Sequence, residues 1–252
     1  MNAFDLTWNR LERDGSSDAA FLRSLYGPHN QPPQFPIDTS ARFTPVHDVQ
    51  MILALINSVV GDWVPDEARQ PAVVVEIGCN EGQTTADIAR NFPQVQVFGI
   101  DIADGGRMDP SQRGEAPAES RIGIRAQDLD NVHILKMPSW ELEWDHLAPH
   151  LPPYSHLGTS RALWHYRAPF VFFIDGDHSF TGVRSDTLLC LDMLYRTPCG
   201  GMLIWHDDYE GAPEWCAVRR YLNQQRLLRA IRIRDTWVSF AVVRPPVGLQ
   251  AL

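Results

Sequence analysis

The apolar run FVFFI ends at Ile174, and Asp175, Asp177 and His178 follow within four residues. A second run, MLIW, ends in His206, Asp207 and Asp208. Short apolar runs of this kind read as buried strands. Carboxylates at the end of a buried strand are costly unless something pairs with them. Where two such strands lie side by side, their carboxylates repel unless one is protonated or a cation stands between them. Hard oxygen ligands on a rigid sheet edge suit Mg²⁺, which keeps some waters and accepts substrate oxygens. A cation there would hold a substrate hydroxylate and lower its pKa. Plainer roles stand beside these. Asp177, His178 and Ser179 can cap a following helix, His206 can be a satisfied sheet-end histidine, and Asp207 and Asp208 can open a polar loop.

A second group is VVVEIGCNEGQTT, with glycines at Gly78 and Gly82 where a strand meets a helix. Glycine there allows a sharp turn and close approach of a ligand. The acidic Glu76 precedes the turn. A phosphate cradle gains nothing from a carboxylate, whereas a positively charged ligand does. This favours an adenosyl ligand with an amino-acid tail and a sulfonium over a dinucleotide. The next strand ends in Asp101, about twenty residues on, the offset expected for a carboxylate that accepts from ribose hydroxyls. The plain alternative is a tight turn followed by a solvated aspartate.

The elements that must position these residues follow from the apolar pattern. AVVVEI, VQVFGID, VHILKM, FVFFID and MLIWHDD read as strands, with helices over EGQTTADIARNF and VRSDTLLCLDMLYR. Thr44 and Pro45 are expected to start a helix that runs to Gly61, and Pro213 one that runs through Tyr221. RAIRIRD and WVSFAVV close the chain as an antiparallel pair. Strands alternating with helices imply an α/β fold: a Rossmann-like, doubly wound, mostly parallel seven-stranded sheet with an antiparallel C-terminal strand and helices on both faces. Residues 1–43, broken by YGPHNQPPQFP, are expected to form an N-terminal arm or lid on a domain spanning 44–252. A polar stretch, 103–118, reads as a loop.

Composition narrows the function. The chain has 252 residues, 44% hydrophobic and 21% charged, enough for one large α/β domain. A net charge of −9 argues against non-specific binding to nucleic acid or anionic membrane. Lys136 is the only lysine, so a lysine base is available nowhere else. Cys79, Cys190, Cys199 and Cys216 show no paired spacing and read as free thiols of a reducing compartment. With no signal-like N-terminus and no apolar run long enough to span a bilayer, a cytoplasmic location is expected. Aromatic residues in the arm make a homodimer a reasonable expectation.

EIGCNEGQTT, GIDIAD, FFIDGDHSFTGV and GGMLIWHDD together resemble the class I S-adenosylmethionine-dependent methyltransferases, over about residues 71–243. The departure is Asn80, which stands where that family most often has glycine. The resemblance implies that Glu76 serves the ammonium of the donor or its hydrogen-bond network, and that Gly78, Asn80, Gly82 and Thr84 line the donor. It implies that Asp101 binds the ribose and Ser139 lies near the adenine, with Trp140 a candidate stacking partner. The acidic cluster is similar to that of cation-dependent O-methyltransferases of the catechol type. Asp175, Asp207 and Asp208 match their metal ligands, and His178 stands where they carry a lysine base. The resemblance thus implies methylation of a hydroxyl on a small metabolite, with His178 and Asp175 catalytic and Mg²⁺ assisting. Trp144, Tyr154, Trp164, His165 and Tyr166 suit an aromatic or sugar-like acceptor, or else pack a lid. The rival readings are a metal-independent N- or O-methyltransferase, a nucleotide-dependent oxidoreductase, and a non-catalytic donor-binding protein.

Overall fold

The computed structural model describes residues 34–40, 42, 44–61, 70–102, 119–151, 166–214, 216–225, 228–233 and 235–243. Most of the arm 1–43 and the whole loop 103–118 lie outside them, as do Tyr154, Trp164 and His165.

Seven strands form one sheet in the order β3-β2-β1-β4-β5-β7-β6. They are β1 (Ala72–Ile77), β2 (Val95–Asp101), β3 (Val132–Lys136), β4 (Phe170–Ile174), β5 (Gly201–Trp205), β6 (Ile231–Arg232) and β7 (Ser239–Val243). The first five pair in parallel, and β7 runs antiparallel to both β5 and β6. β1, β4 and β5 are buried along their whole length. That explains their unbroken apolar sequences, since a parallel strand is covered on both faces. The strand order reverses between β1 and β4, so a crevice opens at their carboxyl ends.

The covering helices are α1 (Val46–Val60), α2 (Gln83–Asn91), α3 (Trp144–Leu147), α4 (Phe180–Arg196) and α5 (Val218–Gln224). Two cores result, one on each face. On one side Ile52, Leu55, Ile56 and Val59 of α1 and Ile88 of α2 pack on Val74, Val97, Phe173 and Ile204. On the other, Val183, Cys190 and Leu194 of α4 meet Val75, Phe172, Leu203 and Trp205. Fully burying one such aliphatic side chain stabilises by roughly 1.5–3 kcal/mol. The Trp205 indole N–H is satisfied within this layer by Thr187 Oγ1 at 2.9 Å.

Some boundaries differ from the sequence reading. α1 is capped by Pro45 rather than Thr44, and the amides of Asp48 and Val49 bond to Pro45 O instead of a side chain. α5 begins at Val218, not Pro213. Pro213 instead opens a turn, closed by the Cys216 amide on Pro213 O at 2.9 Å, and the Ala217 amide at the helix start donates to His178 O at 2.7 Å. Trp144 and Tyr166 are core residues, not acceptor contacts: they stack edge-on at 5.5 Å and both pack on Phe170. All four cysteines are free. Among the described residues no helix is long and apolar enough to cross a membrane.

Candidate active site

The chain leaves β1 at Ile77 and enters α2 through three left-handed residues, Gly78 (φ 86°), Asn80 (φ 50°) and Gly82 (φ 82°). A Cβ on Gly78 would strike the backbone of Asp175 and Gly176, which begin the loop after the neighbouring β4. Asparagine tolerates the left-handed region better than most residues, so Asn80 replaces glycine at low cost. A Cβ on Gly82 would come within 2.9 Å of Gly123 Cα. Gly82 therefore serves packing against the segment after η-turn 119–121 and does not line the cavity.

The turn is tied to the end of β2. The amides of Gly78 and Cys79 donate to Ile100 O at 2.8 and 3.1 Å. Asp101 Oδ2 accepts from the Asn80 amide at 2.5 Å and Oδ1 from the Ile102 amide at 2.7 Å. Burial pushes the Asp101 carboxyl up from its usual value, and those amides pull it back. Glu76 is buried, accepts from Thr85 Oγ1 on α2, and is pushed well above the usual carboxylate range by burial. Ser139, in a 3-10 turn after β3, donates to Asp186 Oδ1 on α4. Burial pushes Asp186 up to about 6. Trp140 stands exposed beside Ser139 on the same cavity wall.

The acidic cluster forms where β4 and β5 end in register. His178 Nε2 lies 3.0 Å from Asp207 Oδ2 and 3.5 Å from Asp175 Oδ1. The two carboxylates raise the His178 pKa above its ordinary value even though burial opposes this. His206 bridges deeper groups, with Nδ1 3.2 Å from Asp175 Oδ1 and Nε2 3.0 Å from Asp48 Oδ2 on α1. Carboxylates at both ring nitrogens call for a proton on each. Burial works against that charge, but the carboxylates, Asp175 foremost, push His206 up to about 12. Burial alone would raise Asp175; the two imidazoles override it and hold the carboxylate well below its usual range. Asp207 itself adopts φ 60°. That left-handed turn sends the next side chain elsewhere. Asp208 is buried and accepts from Ser239 Oγ on β7.

The structure thus brings Asp175 and Asp207 together but sets Asp208 apart. The groups able to surround one ion are Asp175, His178 and Asp207, whose nearest ligand atoms lie within 4.8 Å of one another. Two carboxylates and an imidazole are a poor match for Mg²⁺, which favours oxygen. The arrangement does not fit the three-aspartate magnesium site, and no step below passes through a metal.

A cavity of about 400 Å³ runs between these groups. Its wall includes Glu76, Gly78, Asn80, Thr84 and Asp101 around the ends of β1 and β2, Ser139 and Trp140 beyond β3, and Asp175, His178 and Asp207 at the sheet's centre. The size is that of a small-molecule site. A wall this rich in carboxylates suits a ligand that carries positive charge.

Residues 75–208, more than half of the chain, match the family model described as Methyltransferase domain. The chain belongs to the class I S-adenosylmethionine-dependent methyltransferases. A trans-aconitate 2-methyltransferase of Streptomyces avermitilis is 30% identical where it aligns, over 34% of this chain and 39% of that protein. The chain therefore matches well under two thirds of that curated relative. Among solved structures, a caffeoyl-CoA O-methyltransferase-like protein of Staphylococcus aureus is 12% identical with a TM-score of 0.47, covering 96% of this chain and 99% of that one. The SAH-bound methyltransferase PaMTH1 of Podospora anserina is 10% identical with a TM-score of 0.45, covering 95% and 87%. The sequence motifs quoted for the resemblance all fall inside the family match, and the cavity lies at the strand-order reversal.

Three residues of the site escaped the sequence reading. His206 had been weighed only as a sheet-end histidine. Asp48 is a carboxylate in an apolar helical run, a signal that some partner must exist. Arg42 lies in the arm, yet lines the cavity.

Proposed function

We propose that this methyltransferase transfers a methyl group from S-adenosylmethionine to a hydroxyl of a small metabolite, with His178 as general base and no metal ion. The observation that carries this is the placement of His178. It lies on the wall of the donor cavity with a carboxylate on either side of Nε2. Asp207 and Asp175 flank Nε2 and favour the protonated ring that forms when His178 accepts a proton.

The donor's proposed contacts come from the residues already placed. Asp101 presents a carboxylate fixed by two amides, suited to a ribose diol. Glu76 offers a buried carboxyl to the ammonium at the amino-acid end. Ser139 and Trp140 suit the adenine. When bound, S-adenosylmethionine supplies an electrophilic methyl group on a sulfonium. His178 takes the hydroxyl proton as the acceptor oxygen bonds to the methyl carbon and the carbon–sulfur bond breaks, its electron pair staying on a sulfur that leaves as a neutral thioether. His206 keeps Asp175 ionised, and Asp175 with Asp207 stabilises the imidazolium that results. Alignment of the acceptor oxygen is itself a large part of the rate enhancement.

The test is S-adenosylhomocysteine production with a panel of hydroxylated small molecules, with and without EDTA. The account expects turnover that EDTA leaves unchanged and that His178→Ala loses. The convergence of Asp175, His178 and Asp207 favours one second reading, a divalent cation at that point. Loss of turnover in EDTA, restored by a metal, would establish it in place of the first.

A further inference from the structure

The cavity wall is dominated by carboxylates, yet the proposed donor ends in an α-carboxylate. Something must offset that charge. Two arginines stand on the donor side. Arg125 is 38% exposed at its side chain and already paired with Glu81 at 3.1 Å. Arg42 differs, because its side chain is only 6% exposed.

Arg42 is anchored with care. Its Nε donates to Thr44 O at 2.8 Å, and Nη1 donates to Asp38 O at 2.9 Å and to Asp87 Oδ2 at 3.0 Å. Asp38 is itself fastened to α2, its amide donating to Asp87 Oδ1 at 3.0 Å. Three firm bonds fix the guanidinium plane. The remaining nitrogen, Nη2, has one long contact, 3.4 Å to Thr84 Oγ1. A guanidinium carries five N–H groups, so among the described residues one Nη2 hydrogen has no partner. Arg42, Gln83, Thr84 and Glu76 all border the cavity. Thr84 lies in the first turn of α2, where the helix offers unspent amides and its positive end. A fixed guanidinium beside a helix start is a well-matched receptor for a carboxylate.

We propose that Arg42 holds the carboxylate at the amino-acid end of the methyl donor against the start of α2, which makes Arg42 part of the donor pocket. This rests on the methyl-donor reading above. Asp87 sets the guanidinium's orientation, and Glu76, at the same end, is left for the ammonium.

The experiment compares two ligands by calorimetric titration of the full chain. S-adenosylhomocysteine carries the amino-acid end; 5′-methylthioadenosine has the same nucleoside and thioether without it. Arg42→Met is expected to weaken S-adenosylhomocysteine roughly tenfold to a hundredfold, the loss typical of one charge-assisted contact. It should leave methylthioadenosine within about twofold. Arg42→Lys should recover part of the loss. An unchanged affinity for S-adenosylhomocysteine, or an equal loss for both ligands, would overturn the proposal. The equal loss would show that Arg42 acts only by holding α2 and the arm together. If Arg42→Met does not fold, the unaltered chain still decides: decarboxylated S-adenosylhomocysteine must bind roughly tenfold more weakly than its parent, and equal affinities would refute the assignment. If the unaltered chain binds none of these ligands, the donor pocket reading itself falls, an outcome distinct from failure of Arg42 alone.

Discussion

Replacing His206 with alanine is the sharpest test of the buried charge chain beneath the site. His206 ties α1 to the ends of β4 and β5 through Asp48 and Asp175. Asp48 is fully buried, and the side chain of Asp175 is largely so. His206→Ala leaves both carboxylates without their shared cation. Removing one partner of a buried ion pair costs about 3–5 kcal/mol. For a chain of this size each kcal/mol moves Tm by about 2–4 °C, so the loss is roughly 6–20 °C. Differential scanning calorimetry at pH 7 measures it. The double variant Asp48→Asn with His206→Ala should recover part of the loss, because the stranded charge is gone. Linkage fixes the pH window. His206 has a folded pKa of about 12 against an ordinary value near 6.5. Its contribution is full below the unfolded value and is lost as pH rises through the folded one. The gap between variant and parent should therefore narrow in alkaline solution. A Tm change below about 2 °C at pH 7, or no recovery in the double variant, would refute the bridge.

Other consequences are as direct. His178→Ala should lower kcat by about 10²–10⁴ while leaving donor affinity nearly unchanged. In the parent, kcat/KM should rise with pH through a midpoint above 6.5, because the base must be neutral and its pKa is raised; a midpoint below 6.5 would exclude His178. Gly78→Ala should destabilise the chain by more than about 1 kcal/mol in urea unfolding, since a left-handed backbone and a collision with the Asp175 backbone both oppose the methyl group. Trp144→Ala should cost about 3–5 kcal/mol of stability. It should leave KM for both substrates unaltered, as expected of a core residue and not of an acceptor contact.

What the sequence revealed, and what it concealed, follows from the distance over which each feature is determined. Buried parallel strands such as AVVVEI and FVFFI are continuous apolar runs, so both β1 and β4 were plain. Glu76 and Asp101 were legible as carboxylates at strand ends, Glu76 one residue before the end of β1 and Asp101 the last of β2. Ser179 was legible as a cap, and its Oγ does accept from the Gly182 amide at 3.0 Å. Asp48 and His206 meet across 158 residues, and no local pattern announces that pairing. The divergence of Asp207 and Asp208 depends on one left-handed residue, which an Asp-Asp pair does not reveal. Arg42 reads as part of an arm until tertiary packing lays it on α2. The start of α5 was misplaced because Pro213 opens a turn, closed by the Cys216 amide, before the helix begins at Val218.

The central claim is that the cavity between Asp101 and His178 receives the methyl donor. Calorimetric titration with S-adenosylhomocysteine, on the unaltered chain and on Asp101→Ala, tests it most directly. The account predicts saturable binding in the micromolar range, weakened by roughly tenfold to a hundredfold in Asp101→Ala by loss of hydrogen bonds to a charged group. No binding by the unaltered chain, or equal binding by the variant, would contradict it.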